Sequence, residues 1–153
     1  AFDIGATDLS DFSLTKAKEI GADAALNVGA SPDALAPYTE NKGYFDVLFE
    51  CSGVASALGG AVPAMRPQGM IMQLGLGGDM TLPVQAMTAK ELTLRGSFRF
   101  HHEFPEAIAL MTSGRLNTAP LITQTFQIDD AVEAFETASD RSKAIKVQLA
   151  FSA

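Results

Sequence analysis

The side chains that could do chemistry fall in four short stretches, each at the end of an apolar run. Asp8 closes the run Phe2-Asp3-Ile4-Gly5-Ala6-Thr7. A carboxylate at the C-terminal end of a parallel strand can accept hydrogen bonds from the hydroxyls of a ribose, and it repels a 2′-phosphate. The same acid also suits an ordinary solvated helix start. Cys51-Ser52-Gly53 closes Phe45-Asp46-Val47-Leu48-Phe49-Glu50. Small residues there let a ligand approach the backbone, or simply make a turn in which Cys51 is a small apolar side chain. A catalytic thiol needs an activating base, and no histidine lies near Cys51 in the sequence. Leu74-Gly75-Leu76-Gly77-Gly78 follows Met70-Ile71-Met72-Gln73, with three glycines in four positions. Ligand contact and a tight turn explain this equally well; no helix opens at the offset of a phosphate-binding fingerprint.

The densest stretch is Gly96-Ser97-Phe98-Arg99-Phe100-His101-His102-Glu103. Arg99 at a strand end could face a substrate. The paired histidines invite a metal reading, but neighbours in sequence do not converge on one ion as residues one helical turn apart do. A polar entry to the next helix is the better account.

The elements that must hold these stretches alternate between strand and helix. Strands are expected at Phe2–Asp8, Ala24–Val28, Phe45–Cys51, Met70–Leu74 and Leu92–Phe98. Ser10 or Asp11 should cap a helix running through Leu14, Ala17 and Ile20 to Gly21. Further helices are expected at Pro32–Tyr38, Val54–Met65, Val84–Lys90 and Glu103–Ser113. The continuous apolar character of Met70–Leu74 suits a strand buried on both faces. Such alternation implies an α/β fold with a parallel sheet. The tail changes character near Asn117-Thr118-Ala119-Pro120: strands at Leu121–Gln127 and Ala144–Phe151 should flank a helix at Ile128–Ser139.

At 153 residues and 47% hydrophobic composition, the chain can bury a core and is not of a disordered type. Its net charge of −7 disfavours nucleic acid as a partner. The single cysteine allows neither an internal disulfide nor a Cys-rich zinc cluster, and fits a reducing cytoplasm. No apolar run reaches membrane-spanning length, and no signal peptide is visible.

The motifs also form an ordered series over essentially the whole chain. It comprises Ala6-Thr7-Asp8-Leu9-Ser10, Ala17-Lys18-Glu19-Ile20-Gly21-Ala22-Asp23 and Tyr44-Phe45-Asp46-Val47 with Glu50-Cys51-Ser52-Gly53. Gln73-Leu74-Gly75-Leu76-Gly77-Gly78, Leu94-Arg95-Gly96-Ser97-Phe98-Arg99-Phe100, Ala134-Phe135 and Lys146-Val147-Gln148-Leu149 complete it. The series resembles the zinc-type medium-chain dehydrogenase/reductase family, most of all its sorbitol and L-idonate dehydrogenase branch. The resemblance implies oxidation of a secondary alcohol of a polyol or aldonate, with zinc polarising the alcohol oxygen and hydride passing to NAD. It puts Asp8 and Leu9 at the adenosine ribose and lines the dinucleotide with Cys51, Ser52, Leu74, Gly75 and Leu76. Ser97, Phe98 and Arg99 would border the nicotinamide, with Arg99 nearest the substrate and metal and hence the catalytic candidate. Ser13 stands where the family often has a basic residue, so NADP is left open beside NAD. The family's zinc ligands lie in an upstream domain, and no metal ligand is assigned here.

The implied fold is a Rossmann-type doubly wound parallel sheet over residues 1–118, lacking its first strand, helix and Gly-rich fingerprint. Residues 119–153 would belong to the catalytic domain. In the strand order 3-2-1-4-5-6 the first strand is central, so its absence should separate the sheet into two pieces. The chain alone should then be inactive, with a homo-oligomer as the implied assembly and the cytoplasm as its place. A non-catalytic assembly fragment and a different nucleotide-using class, such as a methyltransferase, are the alternatives.

Overall fold

Strand and helix alternate along residues 3–151, the part of the chain that the computed structural model describes. The strands are β1 (Gly5–Asp8), β2 (Ala24–Asn27), β3 (Phe45–Glu50), β4 (Met65–Gln73), β5 (Thr93–Gly96), β6 (Ile122–Gln127) and β7 (Lys146–Ala150). The helices are α1 (Asp11–Glu19), α2 (Ala55–Ala61), α3 (Val84–Ala89), α4 (Glu103–Thr112) and α5 (Ala131–Ser139). The expected start of the first strand at Phe2 lies outside the described residues.

All strand pairs are parallel, in three separate sheets: β1 with β2, β3-β4-β5 in that order, and β6 with β7. Doubly wound order with its first strand left out gives this division, β1 and β2 being the second and third strands and β3 to β5 the fourth to sixth. The chain divides correspondingly into two compact units. One runs from Asp33 to Phe100; the other joins the residues up to Pro32 to those from His101 onward.

In the unit containing both ends, Ser10 caps α1 by accepting from the Ser13 amide at 3.3 Å, one of the two caps expected. Gly21, at φ +111°, ends that turn in a backbone region that favours glycine. The β6–α5–β7 segment forms as the sequence pattern implies. Its helix keeps Ala134 buried, while Val132 and Phe135 are 75% and 70% exposed. Every residue of α4 is exposed, apolar Phe104, Ile108 and Met111 included.

The other unit holds the larger core. Leu58 of α2, Val62, Met65, Ile71 of β4 and Met87 of α3 pack together, with Phe45, Leu48 and Leu92 at the margin. The tyrosine rings of Tyr38 and Tyr44 stack edgewise and tilted on Phe45. Three expectations need correction here. The helix expected over Pro32–Tyr38 forms only as a 3-10 turn at Ala36–Tyr38. The helix expected over Val54–Met65 stops at Ala61 and continues only as a 3-10 turn at Val62–Ala64, because Pro63 cannot donate to a longer α-helix. Strand β4 is also not buried on both faces: Ile71 is fully buried, but Met70 is 36% exposed, and β3 leaves Val47 and Phe49 open on that same side. Both covering helices lie on the Ile71 face, so apolar composition here records a face with nothing on it. The strand begins early, at Met65, with a register shift opposite Phe45 and Val47.

Lys90 closes the N-terminal end of this sheet. Its ammonium donates to the carbonyls of Lys42 (2.9 Å), Val62 (3.2 Å), Pro63 (2.7 Å) and Met65 (2.6 Å). Gly43 makes that closure possible, since a Cβ there would stand 2.1 Å from the Met65 carbonyl oxygen.

Candidate functional site

The C-terminal ends of β3, β4 and β5 lie side by side, because Glu50 pairs with Gln73 and Gln73 with Gly96. This register brings together Cys51, Ser52, Leu74, Gly75 and Leu76, and the Ser97 amide donates to the Gln73 carbonyl at 2.9 Å. Phe98 and Arg99 follow directly. The Arg99 guanidinium carbon stands 3.9 Å from the centroid of the Phe98 ring, a cation–π contact between two exposed side chains. Asp8 and Leu9 belong to the other unit. There the Asp8 carboxylate accepts from the Ser10 amide at 2.8 Å, and Leu9 is 73% exposed.

The glycines of the two turns have a specific job. A Cβ on Gly75 would stand 2.1 Å from the Gly53 nitrogen, and one on Gly77 would stand 2.0 Å from the Gly53 oxygen. Gly53 itself has φ +71° and faces the Leu76 carbonyl. The turns therefore pack backbone against backbone. Gly75 and Gly77 are glycines because another strand's turn presses on them, while Gly78 has open space around it. Turn packing thus accounts for most of a motif that also suits ligand contact.

The residue that sequence reasoning left without a role is Glu50, a charged side chain only 4% exposed. One carboxylate oxygen accepts from the Ser52 amide at 2.9 Å and from the Ser52 hydroxyl; the other accepts from the Gly53 amide at 2.9 Å and the Gln73 carboxamide at 2.6 Å. Its carbonyl accepts from the Leu74 and Gly75 amides, both at 2.8 Å. Burial pushes this carboxyl up, but the donors from Ser52, Gly53 and Gln73 outweigh it and hold the group below its ordinary value. Glu50 is therefore a carboxylate at neutral pH. Gln73 gives a second hydrogen to the Gly75 carbonyl at 2.9 Å, and its own carbonyl oxygen is buried without a partner. The clue in sequence was an acid ending an apolar run just before small residues, with a glutamine at the same place on the next strand.

Cys51 is exposed, yet burial and then the charge of Glu50 push its thiol up, away from a reactive thiolate. Glu103 turns back to accept from the His101 amide at 2.9 Å, which is the polar helix entry expected of that stretch. Among the described residues no three His, Cys, Asp or Glu side chains are grouped to hold a metal ion, so the described side chains do not fit a zinc ion. Exposed small residues at adjoining strand ends do suit the sugar and ring faces of a nucleotide.

Parallel βαβ units whose small-residue turns gather at the strand C-termini define a Rossmann-type α/β protein. The profile of the zinc-binding dehydrogenases matches residues 1–113, and the chain belongs to that family. It is 39% identical over 152 residues to the L-idonate 5-dehydrogenase (NAD(P)(+)) of Escherichia coli K12, covering 99% of this chain and 44% of that protein. Sorbitol dehydrogenase of Gallus gallus is 36% identical over 147 residues, covering 94% and 41%. The crystal structure of Escherichia coli L-idonate 5-dehydrogenase superposes with a TM-score of 0.90 over 99% of this chain and 43% of its own. That of 2R,3R-butanediol dehydrogenase from Bacillus subtilis, 26% identical, does so at 0.87 over 99% and 44%. The chain thus spans less than half the length of these relatives. No helix among the described residues is long and apolar enough to cross a membrane.

Proposed function

We infer that the chain supplies the cofactor-binding half of an NAD-dependent, zinc-containing polyol dehydrogenase acting on L-idonate or a related polyol or aldonate. The observation that carries this is the 39% identity to L-idonate 5-dehydrogenase over 99% of the chain. In this reading Asp8 and Leu9 meet the adenosine ribose, and Cys51, Ser52, Leu74, Gly75 and Leu76 line the dinucleotide. Ser97, Phe98 and Arg99 border the nicotinamide, with Arg99 nearest the alcohol. NAD is the expected cofactor, and the carboxylate of Asp8 opposes a 2′-phosphate. Zinc, bound by ligands outside the described residues, would supply the Lewis acid that polarises the alcohol oxygen. Residues 1–118 form the nucleotide part and 119–153 the return to the catalytic domain. The assembly is a cytoplasmic homo-oligomer.

A chimera tests the reading. The chain alone should not oxidise L-idonate or sorbitol with NAD and zinc present. Joined to the N-terminal portion of the Escherichia coli L-idonate 5-dehydrogenase that it does not match, it should do so, and Arg99→Ala should reduce turnover. A chain active alone, or an inactive chimera that folds and binds zinc, refutes the assignment.

A further inference from the structure

We propose that Glu50 acts as an electrostatic selector that favours the oxidised, cationic nicotinamide over the reduced, neutral one. The inference rests on the dinucleotide reading above. The carboxylate is buried and accepts hydrogen bonds only from neutral donors: two amides, a hydroxyl and a carboxamide. Among the described residues, no lysine, arginine or histidine nitrogen lies within salt-bridge distance of it. A buried carboxylate ordinarily has a cation beside it. Here the compensation is dipolar, so a full negative charge stays uncancelled behind the turns.

Its position is set from several sides. The Glu50 carbonyl holds the amides of Leu74 and Gly75, and its carboxylate lies so close behind Gly75 that a Cβ there would stand 2.7 Å from Oε2. Gln73 links the same oxygen to the Gly75 carbonyl, and the amide of Ser97 joins the same strand end. Whatever rests on these turns feels a fixed charge. The two redox forms of the cofactor differ by one positive charge on the pyridine ring, so the field of Glu50 discriminates between them while a purely structural brace would not.

The test compares dissociation constants of the chimera described above for NAD and for NADH, by calorimetry and by nicotinamide fluorescence. Glu50→Gln keeps the shape and removes the charge. Gln73→Lys keeps Glu50, retains a donor to it and cancels its charge, so the experiment survives if Glu50→Gln fails to fold. Both should raise the ratio Kd(NAD)/Kd(NADH) by about tenfold, the size of a unit-charge effect over about 12 Å through an effective dielectric of about 20. Glu50→Asp, which keeps the charge, should weaken both ligands and leave the ratio within about twofold. An unchanged ratio in both neutralising variants, or an equal shift in Glu50→Asp, overturns the selector role while leaving the dinucleotide site intact. A wild-type chimera that folds yet binds neither form overturns the dinucleotide reading, and the selector with it.

Discussion

Lys90→Met should unfasten the N-terminal end of the second unit's sheet. Of the four carbonyls that Nζ meets, those of Lys42 and Pro63 are open to water, which can replace the ammonium there. Those of Val62 and Met65 belong to residues only 1% exposed. A hydrogen bond to a charged donor contributes about 1.5–3 kcal/mol, and a buried acceptor left without a donor costs about 1–3 kcal/mol. Methionine keeps most of the stem's packing but donates nothing. Counting only the two sheltered carbonyls, at about 1.5 kcal/mol each, gives a loss of about 3 kcal/mol. The assay is built into the sequence. The chain has no Trp and two Tyr, Tyr38 and Tyr44, both in this unit, so tyrosine emission in urea reports its unfolding. With a urea slope of about 1.5 kcal/mol per molar, the midpoint should fall by about 2 M. A midpoint within about 0.3 M of wild type would mean that water serves all the carbonyls equally well, and the closure described for Lys90 would be wrong.

The same assay separates two further expectations, and carboxyl NMR tests a third. Gly75→Ala should cost about 1–3 kcal/mol or more because its Cβ meets the Gly53 backbone, whereas Gly78→Ala, with nothing within 4 Å, should be neutral. Equal midpoints would contradict the turn-on-turn packing. Ile71→Ala should cost about 2–5 kcal/mol, and Phe49→Lys, on the open face, less than about 0.5 kcal/mol; a reversed order would refute the one-faced core. Asp140 is held down to about 2 by the Ser142 hydroxyl, then by Lys143 and the Ser142 amide. An acid depressed on folding adds stability above its unfolded value of 3.8 and loses it as pH falls through about 2. Carboxyl NMR should therefore show Asp140 titrating near 2, and Ser142→Ala should return it toward 3.8; a midpoint already at 3.8 in the wild type would exclude the clamp.

Element types were legible in the sequence because local chemistry fixes them. Ser10 ahead of Leu14 announced α1, and Gly21 its end. The separation of β1-β2 from β3-β4-β5 was implied by the family resemblance, through the strand order it carries. Burial was not legible in the same way. Met70-Ile71-Met72 reads identically whether one face is covered or two, since composition records what a strand can bury and not what lies beside it. The candidate site shows the same limit. Cys51, Ser52 and the glycines stood out by type, but Glu50 became visible only through its register with Gln73 and the donors converging on it. A single acid at a strand end looks alike in water and in a backbone cage.

β3 stands at the end of its sheet, bonded on one side to β4 alone. Beside its open edge stand Val47 and Phe49, 46% and 65% exposed. The strand has no lysine or proline, and of its two acids Glu50 is turned inward, leaving Asp46 as its solvent-facing charge. Natural proteins place gatekeepers on such rows because an open ladder templates the addition of further strands. Along this row the backbone of β3 offers the pattern of donors and acceptors that one more parallel strand would complete.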